Sequence, residues 1–225
     1  RVAEGAWKSE VEKTFITYGF TQQEVKKAFS SLKLPQGFSK SEGLIFPAQY
    51  SFPQGTSAQA AAQSMIDRFS DDPYGRKLLQ GNKDFSAQQL LTIASIVQAE
   101  GFSEEDFGKV ATVIFNRLRI GMPLQMDSTL LFANKSRGEI RVTNRELKMP
   151  SKYNTYKYRG LPPGSIGSPG SAALAATLKP TPGNWLYFVT VAPGDTRFTD
   201  KYAEFLTFKN EFIRNYKAGL FKGSK

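Results

Sequence analysis

A glutamate at the end of an apolar helix pattern is the residue of this chain best suited to acid–base chemistry. In the segment LLTIASIVQAEG (90 to 101), apolar residues recur with helical spacing and form one stripe that faces the protein interior. Glu100 projects within about 20° of Ile93 on that stripe, so its carboxyl group faces the packed side. Burial and the negative end of the helix dipole both raise the pKa of such a group. A carboxyl group that stays protonated near neutral pH can act as a general acid.

A structural interpretation of Glu100 is also open. A glutamate in the last turn can lie at the edge of the stripe and bend out to solvent, or it can pair with an arginine. Arg117 lies on the inner edge of the next helical stripe, where it could orient carboxylates of nearby loops. Because a direct pair would lower the pKa of Glu100 and weaken the acid, we expect Arg117 to point elsewhere.

The composition excludes several common catalytic chemistries. The 225 residues contain no cysteine and no histidine, which excludes disulfides, thiol nucleophiles, Ser-His-Asp arrangements and the usual zinc ligand sets. Acid–base chemistry must therefore use Asp, Glu, Lys or Tyr. We expect neither a metal nor a cofactor.

The formal net charge of +10 favours an anionic partner. Nucleic acid, an anionic membrane surface and an acidic cell-wall polymer all fit this charge, and so does a basic surface that serves only solubility. The cations are dispersed, and no zinc-finger, RRM or helix-turn-helix signature accompanies them. We therefore expect no nucleic-acid partner.

The helix that carries Glu100 is expected to begin at a capping box at Ser86 and to end at Gly101 in the left-handed conformation. A second helix follows from a cap at Ser103 to Gly121. The connection is very short, so the two helices form a hairpin with Glu100 at its turn.

The remaining pattern predicts an α+β fold in which helices outnumber strands. Between residues 122 and 170 the periodicity fades and Gly, Pro, Asn and Tyr accumulate, which is typical of ordered functional loops. The other predicted elements are two short helices within 5–34, with Trp7, Val11, Phe15 and Tyr18 on one face, helices at about 57–69, 171–178 and 200–217, and an antiparallel hairpin of strands 185–191 and 196–199.

Six segments of the chain together resemble one protein family, the MltG/YceG-like endolytic murein transglycosylases. Their order and spacing agree over most of residues 40 to 215. The segments are EGLIFPAQY (42–50), ASIVQAEG (94–101), FNRLRIGMPLQMDST (115–129), YNTY (153–156), GLPPGSIGSPG (160–170) and WLYFV (185–189).

The resemblance implies a reaction and a catalytic residue. Members of the family cut peptidoglycan glycan strands internally and leave 1,6-anhydro-N-acetylmuramic acid ends. The catalytic acid is the second acidic position of an IVExE-like helix end, which is Glu100 here. The first acidic position is Gln98 in this chain, so no carboxylate is expected to act there.

The resemblance also implies groups that hold the sugar, because amides, hydroxyls and rings suit N-acetyl and hydroxyl recognition. Structural alternatives remain for all of them: a helix cap, a loop anchor, a rigid turn or simple packing. The candidate substrate-binding residues are Gln125, Asp127, Ser128, Asn154, Tyr156, Leu161, Pro162, Gly164, Tyr50 and Glu42.

The domain organisation implied by the resemblance is that of a single-pass membrane protein with an extracytoplasmic catalytic domain. Similar proteins have a cytoplasmic tail, one membrane-spanning helix and a small LysM-like domain before the catalytic part. Residues 1–40 are expected to be a helical lead-in after a truncated LysM-like domain, and 41–225 the YceG-like catalytic domain. The protein is expected to be a monomer. Its expected partners are peptidoglycan glycan strands and the cell-wall synthesis machinery.

On this interpretation Glu100 acts first as the acid and then as the base in cleavage of the bond from N-acetylmuramic acid to N-acetylglucosamine. Two alternatives stay open. One is an inverting hydrolase with Glu100 as the acid and Asp127 as the base, and the other is a wall-binding module without catalysis.

Overall fold

The structure, a computed structural model, describes residues 1–137 and 142–221. Within these ranges it is rich in helix and has one two-stranded sheet, so the predicted α+β class is confirmed. The elements are α1 (Lys8–Thr17), α2 (Gln22–Ser30), α3 (Ala58–Asp71), α4 (Pro73–Leu78), α5 (Ala87–Glu100), α6 (Glu104–Arg119), α7 (Asp127–Asn134), a 3-10 turn (Glu146–Lys148), α8 (Ser171–Leu178), β1 (Tyr187–Ala192), β2 (Asp195–Thr199) and α9 (Tyr202–Lys217).

The hairpin of α5 and α6 forms the centre of the molecule. Residues 90 to 97 of α5 are all buried, because α6 and α8 cover this helix and α7 contacts it. The predicted capping box is present: the Ser86 hydroxyl accepts a hydrogen bond from the Gln89 amide, and the Gln89 side chain accepts one from the Ser86 amide. Glu100 is the last residue of α5, so the rigid hairpin fixes its position.

The amino-terminal helices share a core with the segment that follows them. Val11, Val25 and Leu44 belong to one buried apolar cluster, and the Val2 amide donates a hydrogen bond to the Ala48 carbonyl at 2.9 Å. Residues 42 to 52 are therefore mostly an extended loop with one β-bridge. None of the described helices is long and apolar enough to cross a lipid bilayer.

The β-hairpin and α9 form a separate wall beside this helical core. β1 and β2 pair antiparallel, with Phe188 opposite Phe198. α9 packs on β1, and no residue of α9 is fully buried, although its aromatic residues follow helical spacing. A helix that packs on one side only leaves apolar surface exposed on its other faces.

Two local predictions are wrong. Gly101 has φ −73° and ψ 130°, an extended conformation that any residue adopts. Its glycine is needed for space, because a Cβ there would lie 2.2 Å from Cδ1 of Phe107. Tyr18 is 77% exposed because α1 ends one residue before it. Ser103 is the N-cap residue of α6, as predicted, although its side chain forms no capping hydrogen bond. In addition, the sequence pattern did not predict α4.

We expect Gly101→Ala to lower the free energy of unfolding by about 2 kcal/mol, because the added methyl group overlaps the Phe107 ring. The matched control is Gly164→Ala, where the nearest atom to an added Cβ is the Tyr153 hydroxyl at 3.5 Å. That change should stay within about 0.5 kcal/mol. Urea unfolding of both variants measures the difference, and equal stabilities would contradict the close approach.

Candidate active site

A cleft of about 740 Å³ separates the helical core from the wall of β1 and α9. Glu100 and Asp127 lie on the core side, and aromatic residues lie on the other side. The cleft is lined by Glu100, Arg117, Met122, Gln125, Met126, Asp127, Val142, Asn144, Leu147, Tyr156, Tyr187, Phe188, Val189, Tyr202, Phe205, Lys209, Phe212 and Ile213.

The carboxyl group of Glu100 is held between the end of α5 and the start of α7. The Ser128 amide donates a hydrogen bond to Glu100 Oε1 at 3.1 Å. Protein atoms surround the carboxyl closely, while part of the side chain remains accessible from the cleft. The pKa of Glu100 is raised to about 7, mainly by burial; the negative charge of Asp127 contributes to the rise, and the contacts with Ser128 and the charge of Arg117 oppose it. The predicted protonated acid is thus supported by its environment.

Asp127 and Tyr156 form a hydrogen-bonded pair beside Glu100. The Tyr156 hydroxyl donates to Asp127 Oδ1. Burial is the main reason why the pKa of Tyr156 is raised, and the nearby Asp127 charge adds to it, so Tyr156 remains a neutral donor. Asp127 is also the first residue of α7, where the helix dipole stabilises negative charge.

Asn154 anchors the loop that carries Tyr156. Its side chain is fully buried and donates to the carbonyls of Leu147 and Met149 at 2.9 and 3.0 Å. Its Oδ1 accepts a hydrogen bond from the Tyr156 amide at 3.1 Å. These contacts use the amide group within the protein, so Asn154 positions Tyr156 and does not line the cleft.

Arg117 is buried beside the cleft and does not pair directly with Glu100, as predicted, although its charge acts to lower the pKa of Glu100. Its Nε donates to the Leu186 carbonyl at 2.6 Å, and its Nη1 donates to the Leu124 carbonyl. The guanidinium lies 5.5 Å from the centre of the Tyr187 ring. No ion pair joins it to Glu100 in the described ranges. Its hydrogen bonds go to backbone carbonyls rather than to loop carboxylates, so Arg117 joins α6 to the segment entering β1.

Four of the candidate substrate-binding residues lie around Glu100. Asp127 and Tyr156 line the cleft as described above, and Gln125 lines it as well, with an unusual φ of +51°. The Gln125 amide donates to the Thr155 carbonyl at 3.0 Å, so its backbone is fixed while its side chain is exposed. Ser128 contacts Glu100 through its backbone amide.

Glu42 and Tyr50 lie elsewhere. Glu42 accepts a hydrogen bond from the Lys8 amide at 3.0 Å and lines a second cleft, and burial raises its pKa to about 7. The Tyr50 hydroxyl donates to the Phe46 carbonyl at 2.8 Å, and burial raises its pKa to about 12. Both side chains fix the loop of residues 42 to 52.

The three candidates from the proline-glycine loop do not line the cleft either. Leu161 packs against the buried cluster around α5 and α6, and Pro162 is buried. Gly164 lies near the Tyr153 hydroxyl. Their contacts are those of a rigid turn, which was the structural alternative.

Comparison with known proteins identifies the family. The sequence model of the YceG-like family matches residues 2–211. The chain belongs to the YceG-like family. A crystal structure of a YceG-like protein from Listeria monocytogenes has the same fold, with a TM-score of 0.79 and 26% identity over 92% of this chain and 73% of that one.

Two curated relatives of this YceG-like chain are named endolytic murein transglycosylases. The one from Bacillus subtilis (strain 168) is 33% identical over 90% of this chain. The one from Streptococcus pneumoniae serotype 2 (strain D39) is 34% identical over 66% of this chain. The chain spans 56% and 28% of their respective lengths.

Gln98, where the resemblance expects an acid, has a structural role in this YceG-like chain. Its Oε1 accepts a hydrogen bond from the Gly170 amide at 2.9 Å, and its Nε2 donates to Glu4 Oε2 at 3.4 Å. The amide side chain of glutamine both accepts and donates hydrogen bonds, whereas an ionised carboxylate only accepts them. A carboxylate at position 98 would instead face the Glu4 carboxylate.

The aromatic side of the cleft was not predicted from the sequence. It is formed by Tyr187, Phe188, Tyr202, Phe205 and Phe212 and is called the aromatic wall below. The helical spacing of aromatic residues on α9 was visible, but such a stripe normally packs into a core. Tyr187 and Phe188 on β1 are also aromatic residues whose sequence pattern favours a place in a core rather than in the wall of a cleft.

The described residues contain no group of three or more acidic side chains that could hold a metal ion.

We expect Glu100→Gln to make the stability of the protein less dependent on pH. Because the pKa of Glu100 is about 7 in the folded state and 4.5 ordinarily, the wild type loses stability as pH rises from about 4.5 to 7. Glutamine does not ionise, so the variant should be more stable above pH 7, by about 3 kcal/mol.

Urea unfolding of both proteins from pH 4.5 to 8.5 measures this difference. The pKa of Glu42 is raised equally in both proteins, so its contribution cancels. Parallel stability curves would show that Glu100 titrates normally.

Proposed function

We propose that this chain is the catalytic part of a lytic transglycosylase. It cleaves the β-1,4 bond from N-acetylmuramic acid to N-acetylglucosamine within peptidoglycan strands and leaves 1,6-anhydro-N-acetylmuramic acid ends. The observation that carries the proposal is the Glu100 carboxyl group, with a pKa of about 7, at the edge of an open cleft. The names of the two relatives support the same reaction class.

In the first step Glu100 is the general acid. Its proton goes to the glycosidic oxygen, O4 of N-acetylglucosamine, as the C1–O4 bond breaks and the electron pair stays on O4. Positive charge develops on C1 and the ring oxygen of the muramic acid. The Asp127 carboxylate, which accepts a hydrogen bond from Tyr156, stabilises this charge in the proposed reaction.

In the second step the Glu100 carboxylate is the base. It removes the proton from the C6 hydroxyl of the same muramic acid, and the C6 oxygen forms a bond to C1. The nucleophile belongs to the substrate, so no positioned water is required. Glu100 regains its proton, and the masses of the two products sum to that of the substrate.

An inverting hydrolase with Asp127 as the base remains the main alternative. Such a base must bind and activate a water molecule on the far face of the sugar. Asp127 already accepts a hydrogen bond from Tyr156, and its charge contributes to the raised pKa of Glu100. These contacts favour an electrostatic role for Asp127.

We expect Glu100→Gln to reduce cleavage of purified glycan strands at least about 1,000-fold while strand binding is retained, because the amide cannot donate a proton to O4. Mass spectrometry of the wild-type products should show anhydro ends. Products heavier by one water would indicate the hydrolase, and full activity of the variant would indicate a binding module.

The aromatic wall is suited to hold the glycan. The C–H faces of sugar rings are apolar, and the wall offers a cluster of rings in mutual contact, in which Tyr202 is exposed and Tyr187 and Phe205 are partly buried. Lys209 adds a positive charge on the same wall. A strand bound along this wall would place one glycosidic bond at Glu100.

We expect Tyr202→Ala to raise KM for glycan strands about 3- to 10-fold with little change in kcat, since one ring contact is worth about 1 kcal/mol. Tyr202 is 57% exposed, so its removal should not unfold the protein. Leu206→Ala is the matched control, because Leu206 is exposed on the same helix and does not line the cleft. Equal KM values for both variants would exclude the wall from substrate binding.

The proposed setting is the outer face of the cell membrane. We propose that residues 1–40 lead from a LysM-like domain into the catalytic part, that the protein is anchored by an amino-terminal helix, and that it acts as a monomer with the wall-synthesis machinery. The net charge of +10 supports residence near anionic wall polymers and lipids.

A further inference from the structure

Ser128 has a hydroxyl group that the fold buries beside Glu100 without a hydrogen-bond partner. The Ser128 amide donates to Glu100 Oε1 at 3.1 Å, which fixes the residue next to the carboxyl group. Among the described residues, only the hydroxyl groups of Ser128 and Ser168 are both buried and unpaired. An unpaired buried hydroxyl is unfavourable, so the Ser128 hydroxyl would gain stability in any state of the site that supplies a partner.

Glu100 becomes a stronger acceptor for this hydroxyl when it loses its proton, because a hydrogen bond to a charged oxygen is stronger than one to a neutral oxygen. A carboxylate accepts about four hydrogen bonds and donates none, whereas a serine hydroxyl rotates about one bond to find an acceptor. The Ser128 hydroxyl is close enough to Glu100 to lower its pKa, against the larger effect of burial. Rotation of the Ser128 side chain about its Cα–Cβ bond is the movement that we expect to form the bond.

We propose that the Ser128 hydroxyl donates a hydrogen bond to Glu100 after Glu100 has transferred its proton, and thereby stabilises the carboxylate that acts as the base of the second step. Ser128 is then a positioning residue that acts through Glu100. This inference rests on the proposed function, in which one side chain is both the acid and the base.

Other titratable groups also surround Glu100, and the test must leave them unchanged. Asp127 on α7 and Tyr156 on the neighbouring loop form one pair, and Arg117 on α6 lies beneath the site. Across the cleft, β1 and α9 contribute Tyr187, Tyr202 and Lys209. Removing only the Ser128 hydroxyl preserves all of these charges.

The experiment is Ser128→Ala with two measurements. We expect the pKa of Glu100 to rise by about one unit, measured by carbon NMR of glutamate-labelled protein with Glu100→Gln as the assignment reference. The alkaline limb of the pH profile of kcat/KM should move by the same amount. At the pH optimum kcat should fall about tenfold with KM within twofold, because the base step loses its donor.

Two further variants control this test. Ser128→Thr keeps the hydroxyl and should restore both the pKa and kcat. Ser168→Ala removes the other unpaired buried hydroxyl, which is held by backbone hydrogen bonds to residues 5 and 6, and should leave both measurements unchanged. If Ser128→Ala does not fold, Ser128→Cys, with its weak donor, replaces it.

Each outcome decides the inference. An unchanged pKa of Glu100 in folded Ser128→Ala overturns it, and so does a rise in KM alone, which would mean that the hydroxyl contacts the sugar. Full cleavage by Glu100→Gln would instead overturn the proposed function. In that case the NMR measurement would still show whether the contact with Ser128 exists.

Discussion

Two opposing effects on one carboxyl group set the chemistry of this structure. Burial at the end of α5 raises the pKa of Glu100, and the Ser128 amide, at the start of α7, stabilises its ionised form. Neither effect alone would suit the proposed reaction: burial without a donor would keep the proton in place, and strong hydrogen bonding would remove it. The contact between α5 and α7 holds the pKa of Glu100 near neutral pH.

The rest of the fold keeps this contact rigid. The turn after Glu100 passes Phe107 so closely that only glycine fits at position 101. On the other side, the buried side chain of Asn154 fixes the loop whose Tyr156 holds Asp127. Arg117 extends the same framework to the segment before β1 through two backbone carbonyls. Side chains held by such supporting contacts need little reorganisation during a reaction.

Local patterns in the sequence predicted much of the fold. The helix boundaries followed from capping residues and apolar spacing, as the capping box at Ser86 shows. The errors arose where two mechanisms favour the same residue: a glycine after a helix can supply a left-handed conformation or space, and Gly101 supplies space. Glu42 and Tyr50 lie in the family segment of residues 42–50, and the sequence does not show where this segment lies relative to Glu100. Both side chains fix a loop away from the cleft.

The sequence by itself determined that Glu100 faces inward at the end of a helix, and that its motifs are those of the YceG-like family. These properties depend on neighbours within one or two helical turns. Only the tertiary structure decided that Ser128 contacts Glu100 and that α9 forms the opposite wall of the cleft. Contacts between segments 28 or more residues apart depend on how helices and loops pack, and periodicity shows which face is apolar but not what covers it.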